Sequence, residues 1–220
     1  MTGRPDDGTA LAAVAATAEV LDDPELTEDL LAPWELRRLA RVRRPADRDD
    51  VLAARLLLRL LLARYTGRPP GTHALVQFCP GCRRFGHGRP SLPRRPGTGV
   101  SMSHTAGLVA AAVGPGPLGV DVEPAGRRPG PAVRRVLPEA EVRAAELLPD
   151  PERALLAAWV RREARVKADR SGGVLREWTD GPRAAVAAVV AGVPVQVLAD
   201  AGLGGVGRPR AGGAQPRARR

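Results

Sequence analysis

Residues 51–65, VLAARLLLRLLLARY, place the firmest constraint on the fold. Leucine, alanine and arginine lose little side-chain freedom in a helix, so this run predicts one, with Arg55 and Arg59 four apart on one face. An arginine-rich helix is predicted ahead of it over Leu36–Arg44. Gly67 to Gly71 breaks the pattern, Ala74–Phe78 reads as a short strand, and residues 79–99 read as loop punctuated by glycine and proline. Beyond Gly99 the texture changes. Val100–Ser103, Leu108–Val113 and Leu118–Glu123 are short runs of β-branched or small apolar residues between Gly/Pro turns, and predict strands. Pro124–Pro131 is another loop, followed by predicted helices over Pro138–Leu148 and Asp150–Ala168, the latter with Pro151 suited to a first turn. Val174–Trp178, Ala184–Val190 and Val193–Leu198 close the chain as strands, the last two as a hairpin around Gly192. Helices and mostly antiparallel strands in alternating groups give an α+β class.

The length of 220 residues is enough to bury a sizeable core without metal or disulfide staples. With 44% apolar and 26% charged residues, the composition is that of a soluble globular protein and excludes collagen-like or wholly disordered chains. The formal charge is +10, and half of that excess lies in residues 204–220, a Gly/Pro/Arg-rich segment expected to be a disordered basic tail. The remaining body is moderately basic, which suits an anionic ligand or an acidic partner. Three Trp, one Tyr and two Phe are too few for the stacking platforms of single-strand nucleic-acid binding. Asp6 and Asp7 precede the alanine-rich stretch at 10–18, where a secretory signal would be basic, and no uncharged run approaches the ~20 residues of a membrane span. A cytoplasmic protein is expected. Of the 34 cations, Lys167 alone is a lysine; everywhere else arginine is used. That position calls for a compact ammonium rather than a planar fork.

Three constellations carry chemistry. Asp121 and Glu123, in Gly119-Val120-Asp121-Val122-Glu123 at a strand end, project to one face because side chains alternate along a strand. Paired carboxylates repel, and a hard divalent ion such as Mg²⁺ relieves the conflict. Trp159, Glu163 and Lys167 are spaced by four and line one helix face, offering a third carboxylate and a cation for a phosphate. Ser101-Met102-Ser103-His104-Thr105 puts hydroxyls and an imidazole at a strand end, suited to a phosphate rather than to a hydrolase, since no Gly-x-Ser-x-Gly elbow is present. A fourth feature, Cys79-Pro80-Gly81-Cys82 with His87, offers three candidate metal ligands and His73 a fourth. No second Cys pair completes a recognised zinc spacing, so the cysteines read as reduced loop thiols.

In this order and at these distances the motifs resemble the Sfp-type 4′-phosphopantetheinyl transferases, over about residues 30–200. Gly119–Glu123 is similar to that family's Gly-Val-Asp-Ile-Glu, and Trp159 to Lys167 to its Trp-x-x-Lys-Glu-Ala-x-x-Lys, in the branch with Trp and Glu-Ala. Ser103-His104-Thr105 resembles Ser-His-Ser, Gly88-Arg89-Pro90 resembles Gly-Lys-Pro, and the proline-led helix from Pro33 and Leu-Leu-Leu-Arg at 56–59 also match. Three positions depart from the pattern: Arg162 replaces a lysine, Arg170 stands where a glycine is expected, and Asp50 stands where arginine is common, with Arg48 as a substitute.

The resemblance implies transfer of the phosphopantetheine arm of coenzyme A to a serine of an apo acyl or peptidyl carrier protein, releasing adenosine 3′,5′-bisphosphate. It implies Mg²⁺ on Asp121, Glu123 and Glu163, with Glu163 as general base and Lys167 on the pyrophosphate. Ser103, His104 and Thr105 would contact CoA phosphates, Arg38, Arg41 and Arg48 the 3′-phosphate, and Arg89 and Pro90 the adenine. It implies two similar α/β halves, residues 1–115 and 116–203, with the CoA site between them in a monomer. Two alternatives remain in view: a degenerate member that binds CoA or carrier without turnover, and a basic nucleic-acid-binding protein. The nucleic-acid-binding alternative predicts salt-steep binding that survives loss of the tail.

Overall fold

Alanine shapes the centre of the molecule. The computed structural model describes residues 8–169, 172–199 and Leu203. The expectations on Arg170 and on the tail at 204–220 lie outside these residues. The chain opens with strand β1 (Ala10–Ala16), a short helix α1 (Thr17–Leu21), a 3₁₀ turn at Glu28–Leu30, and helices α2 (Pro33–Leu39) and α3 (Pro45–Thr66). The small strands β2 (Val76–Cys79), β3 (Arg84–Phe85) and β4 (Arg89–Ser91) follow, then β5 (Thr98–Thr105), β6 (Leu108–Pro115) and β7 (Gly119–Pro124). Helices α4 (Pro131–Val136), α5 (Glu139–Glu146) and α6 (Pro151–Ala168) lead to β8 (Val174–Asp180), β9 (Ala185–Ala191) and β10 (Val195–Leu198). The α+β class is as expected.

Two sheets stack between two long helices. The first has the order β10-β1-β6-β5 and the second β7-β9-β8. On one face of the first sheet Leu11, Ala13, Val109, Ala111 and Val113 meet the leucines of α3. On its other face Ala10, Ala12, Val14, Ala110 and Ala112 meet Val120, Val122, Ala187 and Val189 of the second sheet. Small side chains on both inner faces let the sheets pack closely. The far face of the second sheet, Val186, Ala188 and Val190, carries α6 through Leu156, Val160, Ala164 and Ala168. The layers therefore run α3, sheet, sheet, α6.

Helix α3 is buried without interruption from Leu52 to Ala63, sheltered by the first sheet, α1 and α2. Arg55 and Arg59 are thus 2% and 3% exposed and need a buried anion. Glu35 of α2, fully buried, supplies it: Arg55 Nη1 donates to Oε1 at 2.6 Å and Arg59 Nη2 to Oε2. The helix over Leu36–Arg44 ends earlier than expected, at Leu39, because its buried pairing lies at Glu35 while Arg41, Arg43 and Arg44 face solvent. The loop expected over 79–99 contains β3 and β4.

The expected terminal hairpin is not formed. β9 pairs with β7 and β8, whereas β10 crosses to the first sheet and pairs parallel with β1, Ala10 opposite Val195 through Ala13 opposite Leu198. Pro194 and the bend at 192–193 redirect the chain, and β1 offers the open edge that β10 takes. β1 itself, unpredicted as a strand, is nearly all alanine and sits in the middle of its sheet.

Candidate active site

Gly119, Asp121 and Glu123 face α6, because their partners on β9 are Val190, Ala188 and Val186, the residues that carry that helix. The strand's alternation thus puts both carboxylates on one side, as the spacing predicts, each 6% exposed. Glycine at 119 is what admits the helix: a Cβ there would lie 2.1 Å from the Ala164 carbonyl oxygen and 2.4 Å from the Ala168 nitrogen. The helix is set by its ends, with Asp150 accepting from Arg153 N at 3.0 Å and Pro151 in the first turn. Its face of Trp159, Glu163 and Lys167 meets the strand at both outer positions. Trp159 Nε1 donates to Glu123 Oε1 at 3.3 Å, and Lys167 Nζ to Asp121 Oδ1 at 2.7 Å.

β5 lies beside β7 at the junction of the two sheets and bridges it through alternate hydroxyls. Ser101 Oγ accepts from Val120 N at 3.1 Å, Ser103 Oγ donates to Asp121 Oδ1 at 2.7 Å, and Thr105 Oγ1 donates to Glu123 Oε2 at 3.2 Å. Lys167 closes this network, donating also to Ser103 Oγ at 2.8 Å and Val120 O at 3.1 Å. The sequence placed Ser103 and Thr105 on phosphates; here their hydroxyls hold the strand carboxylates, while His104, between them, points the other way.

That other side opens into a cavity of about 380 Å³. Arg38, Arg55, Arg89 and His104 line it with Pro90 and Met102, and Lys167 stands at the border with the carboxylate network. The pocket therefore gathers cations from α2, α3, β4 and α6 and an imidazole from β5 around one space, which suits a polyanion with an apolar part. His104 is solvent-accessible but walled in. Desolvation lowers its pKa below the ordinary imidazole value, Asp50 opposes that, and the Lys167, Arg38 and Arg55 charges lower it further. Arg55 was legible only as a helix-face arginine; its pocket position depends on Glu35 and on Gln77, whose Oε1 accepts from Arg55 Nη2 at 2.8 Å. Arg89 Nη2 also donates to Val166 O at 2.9 Å and Nη1 pairs with Asp169 at 2.8 Å, tying β4 to the end of α6.

Other expected contacts lie elsewhere. Arg41 lines an adjoining depression with Trp34, Arg37, Phe85 and His87. Arg48 pairs with Glu28 at 2.5 Å. Asp50 is buried and accepts from Thr17 Oγ1 at 2.5 Å and Gly107 N at 3.2 Å, locking α3 to the start of α1 and the β5–β6 turn. Glu163 pairs with neighbouring Arg162 at 3.1 Å, and Glu123 also pairs with Arg127. Among the described residues the three carboxylates are not gathered within 4.8 Å of one another. As a donor set they nonetheless fit a hard divalent cation: all-oxygen, two of them buried on one strand face and braced by hydroxyls, with Glu163 midway along the helix face that meets both.

Residues 117–194 match the family model of the 4′-phosphopantetheinyl transferase superfamily. The matched stretch begins at the turn before β7 and ends before β10, so it holds Asp121, Glu123, Glu163 and Lys167 together. No curated protein matches the chain at significance. No helix among the described residues is long and apolar enough to cross a membrane.

Proposed function

We propose that this chain, with its superfamily match over residues 117–194, transfers the 4′-phosphopantetheine arm of coenzyme A to a serine of an apo acyl or peptidyl carrier protein in the presence of Mg²⁺, releasing adenosine 3′,5′-bisphosphate. The observation that carries the reading is the placement of Lys167, shared between the Asp121–Ser103 network and the cation-lined pocket. In this reading residues 1–115 bring the phosphate-binding cations and residues 116–203 bring the carboxylates and Lys167.

Arg38, Arg55 and His104 hold the 3′-phosphate, and Arg89 with Pro90 forms the wall along the adenine. Asp121, Glu123 and Glu163 would hold Mg²⁺, which when bound supplies charge neutralisation on the pyrophosphate. Ser103 and Thr105 orient the two strand carboxylates by donating to them. Glu163 takes the proton of the attacking serine hydroxyl. The serine oxygen bonds to the β-phosphorus as the bond to the bridging oxygen breaks, and that oxygen leaves on adenosine 3′,5′-bisphosphate. Lys167 stabilises the charge on the departing oxygen with a compact ammonium. The basic body steers an acidic carrier towards the site.

The test is the intact mass of apo carrier proteins, acyl and peptidyl, after incubation with this chain, CoA and Mg²⁺. A gain of one phosphopantetheine, lost with chelator and with Glu163→Gln, is the expected result. CoA binding without gain on any carrier would point to a binding protein without turnover. Neither gain nor binding would overturn the reading.

A further inference from the structure

The hairpin that carries the pocket's outer wall lacks a core of its own. From Phe78 to Ser91 no residue is buried, yet the segment forms three paired strands. β3 is two residues long, and Phe85 is 73% exposed, its ring centroid 5.0 Å from that of Phe78 in a tilted contact. So small a sheet with so little burial is not stable through hydrophobic packing alone. Small units of this kind are usually stapled by a disulfide or a metal.

Candidate ligands stand where a staple is needed. The turn between β2 and β3 is Cys79-Pro80-Gly81-Cys82, and His87 follows β3. The Cys79 and Cys82 sulfurs and a His87 ring nitrogen lie within 4.8 Å of one another, with Cys82 Sγ 3.0 Å from His87 Nε2. A tetrahedral zinc site has ligand–ligand edges of about 3.5–3.8 Å from its ~2.3 Å sulfur and ~2.0 Å nitrogen bonds, so only a small adjustment separates this arrangement from one. The backbone is already bent to bring the sulfurs together: Arg83, just past Cys82, has φ 55°, and Gly86 and Gly88 flank His87 at φ 95° and 92°. At Gly88 a Cβ would lie 2.5 Å from the Phe78 carbonyl oxygen, so the return of the chain beside β2 requires glycine. The N–H groups of Cys82 and Gly81 donate to the Cys79 sulfur, which holds it on the turn facing Cys82. His73 takes no part; its Nε2 is 3.1 Å from Thr66 Oγ1.

We propose that Cys79, Cys82 and His87 form a binding site for a zinc-class divalent cation, a fourth non-protein donor completing the tetrahedron, and that this cation fixes the wall of the anion pocket. Two thiolates and an imidazole select zinc over the hard cation suited to the carboxylates. The wall follows directly from the knuckle. Gly86 O accepts from Arg38 Nη1 at 2.5 Å, Gly88 O accepts from Gln77 Nε2 at 2.8 Å, and Arg89 reaches α6. A cation on His87 therefore holds Arg38, Gln77 and Arg89 in register from one point.

The full chain, made without a polyhistidine tag, is dialysed into metal-free buffer for metal analysis. After chelation and re-reduction it is titrated with Co²⁺ and Zn²⁺ alone. About one zinc per chain is expected, with both thiols unreactive until chelator is added. Co²⁺ should give thiolate-to-metal charge transfer and tetrahedral d–d absorption. Cys82→Ser, an exposed position, should lose the charge-transfer band and the stoichiometric zinc with its circular dichroism retained. A folded wild-type chain that binds neither metal, with both thiols freely reactive or joined as a disulfide, overturns the proposal. These readouts need no carrier and no CoA, so this site and the transferase reading stand or fall separately.

Discussion

Lys167 is where an arginine-saturated chain keeps an ammonium, and its geometry gives the reason. Three acceptors, Ser103 Oγ, Val120 O and Asp121 Oδ1, lie within 3.1 Å of one nitrogen. A planar guanidinium cannot converge on all three. Lys167→Arg is expected to lower the rate of carrier modification by about 10²-fold, with CoA binding and the circular dichroism spectrum little changed. His104 gives a different kind of prediction. Its imidazole is held below the ordinary value by desolvation, against Asp50, with the Lys167, Arg38 and Arg55 charges adding to the lowering, so at neutral pH the free pocket holds it uncharged. A bound phosphate favours the charged form and raises that pKa, so a proton is taken up on binding. Affinity gained from His104 should therefore grow as pH falls through the pKa of the complex and level off below that of the free protein. Calorimetry of CoA binding in buffers of different ionisation enthalpy measures this uptake, and His104→Gln should remove it while leaving the phosphate's own titration. Lys167 was singled out in the sequence by its solitude and His104 by its place beside hydroxyls at a predicted strand end. Glu35 was not, because nothing in a capping glutamate of α2 announces two buried arginines on another helix.

Elements were legible where one physical rule governs them and obscure where neighbours decide. α3 followed from the composition of residues 51–65, although it begins at Pro45, and α6 from its pattern and the proline in its first turn. β1 did not, since alanine disfavours strands on propensity, and only the facing alanines and valines of the second sheet make small side chains right there. The partner of β10 was likewise invisible, because a hairpin and a crossover carry the same local pattern up to Pro194. The contact of β7 with α6 is the element-scale feature on which the site depends. Its closest approach is at Gly119, where an added Cβ would meet backbone rather than movable side chain. Gly119→Ala must push the helix away from the strand and with it Lys167 from Asp121. A loss of about 1–3 kcal/mol in urea unfolding is expected, with a disproportionate fall in transfer rate. Gly126→Ala, in an open turn with nothing within 4 Å, serves as the control and should leave stability within about 0.5 kcal/mol.

At the scale of the whole molecule, the two stacked sheets are joined by the hydroxyl bridges of β5 to β7 and by the passage of β10 to β1. The first junction builds the site and the second guards it, because β1, β6 and β5 are successive neighbours in one sheet. Removing β10 would expose the backbone edge of β1, an apolar strand with no charge to keep other edges away. It would also take away Leu198 and Leu203, which pack on the α3 core. Two truncations separate the strand from the segment that follows it. Ending the chain after Leu203 removes five arginines and no acid, and should leave urea stability and carrier modification at the full-length values. Ending it after Pro194 should lower the unfolding midpoint, promote aggregation, and speed proteolysis within residues 8–16. If the shorter chain kept full stability, β10 would be an ornament of the edge rather than its cover, and the packing of the first sheet between α3 and the second sheet would suffice without it.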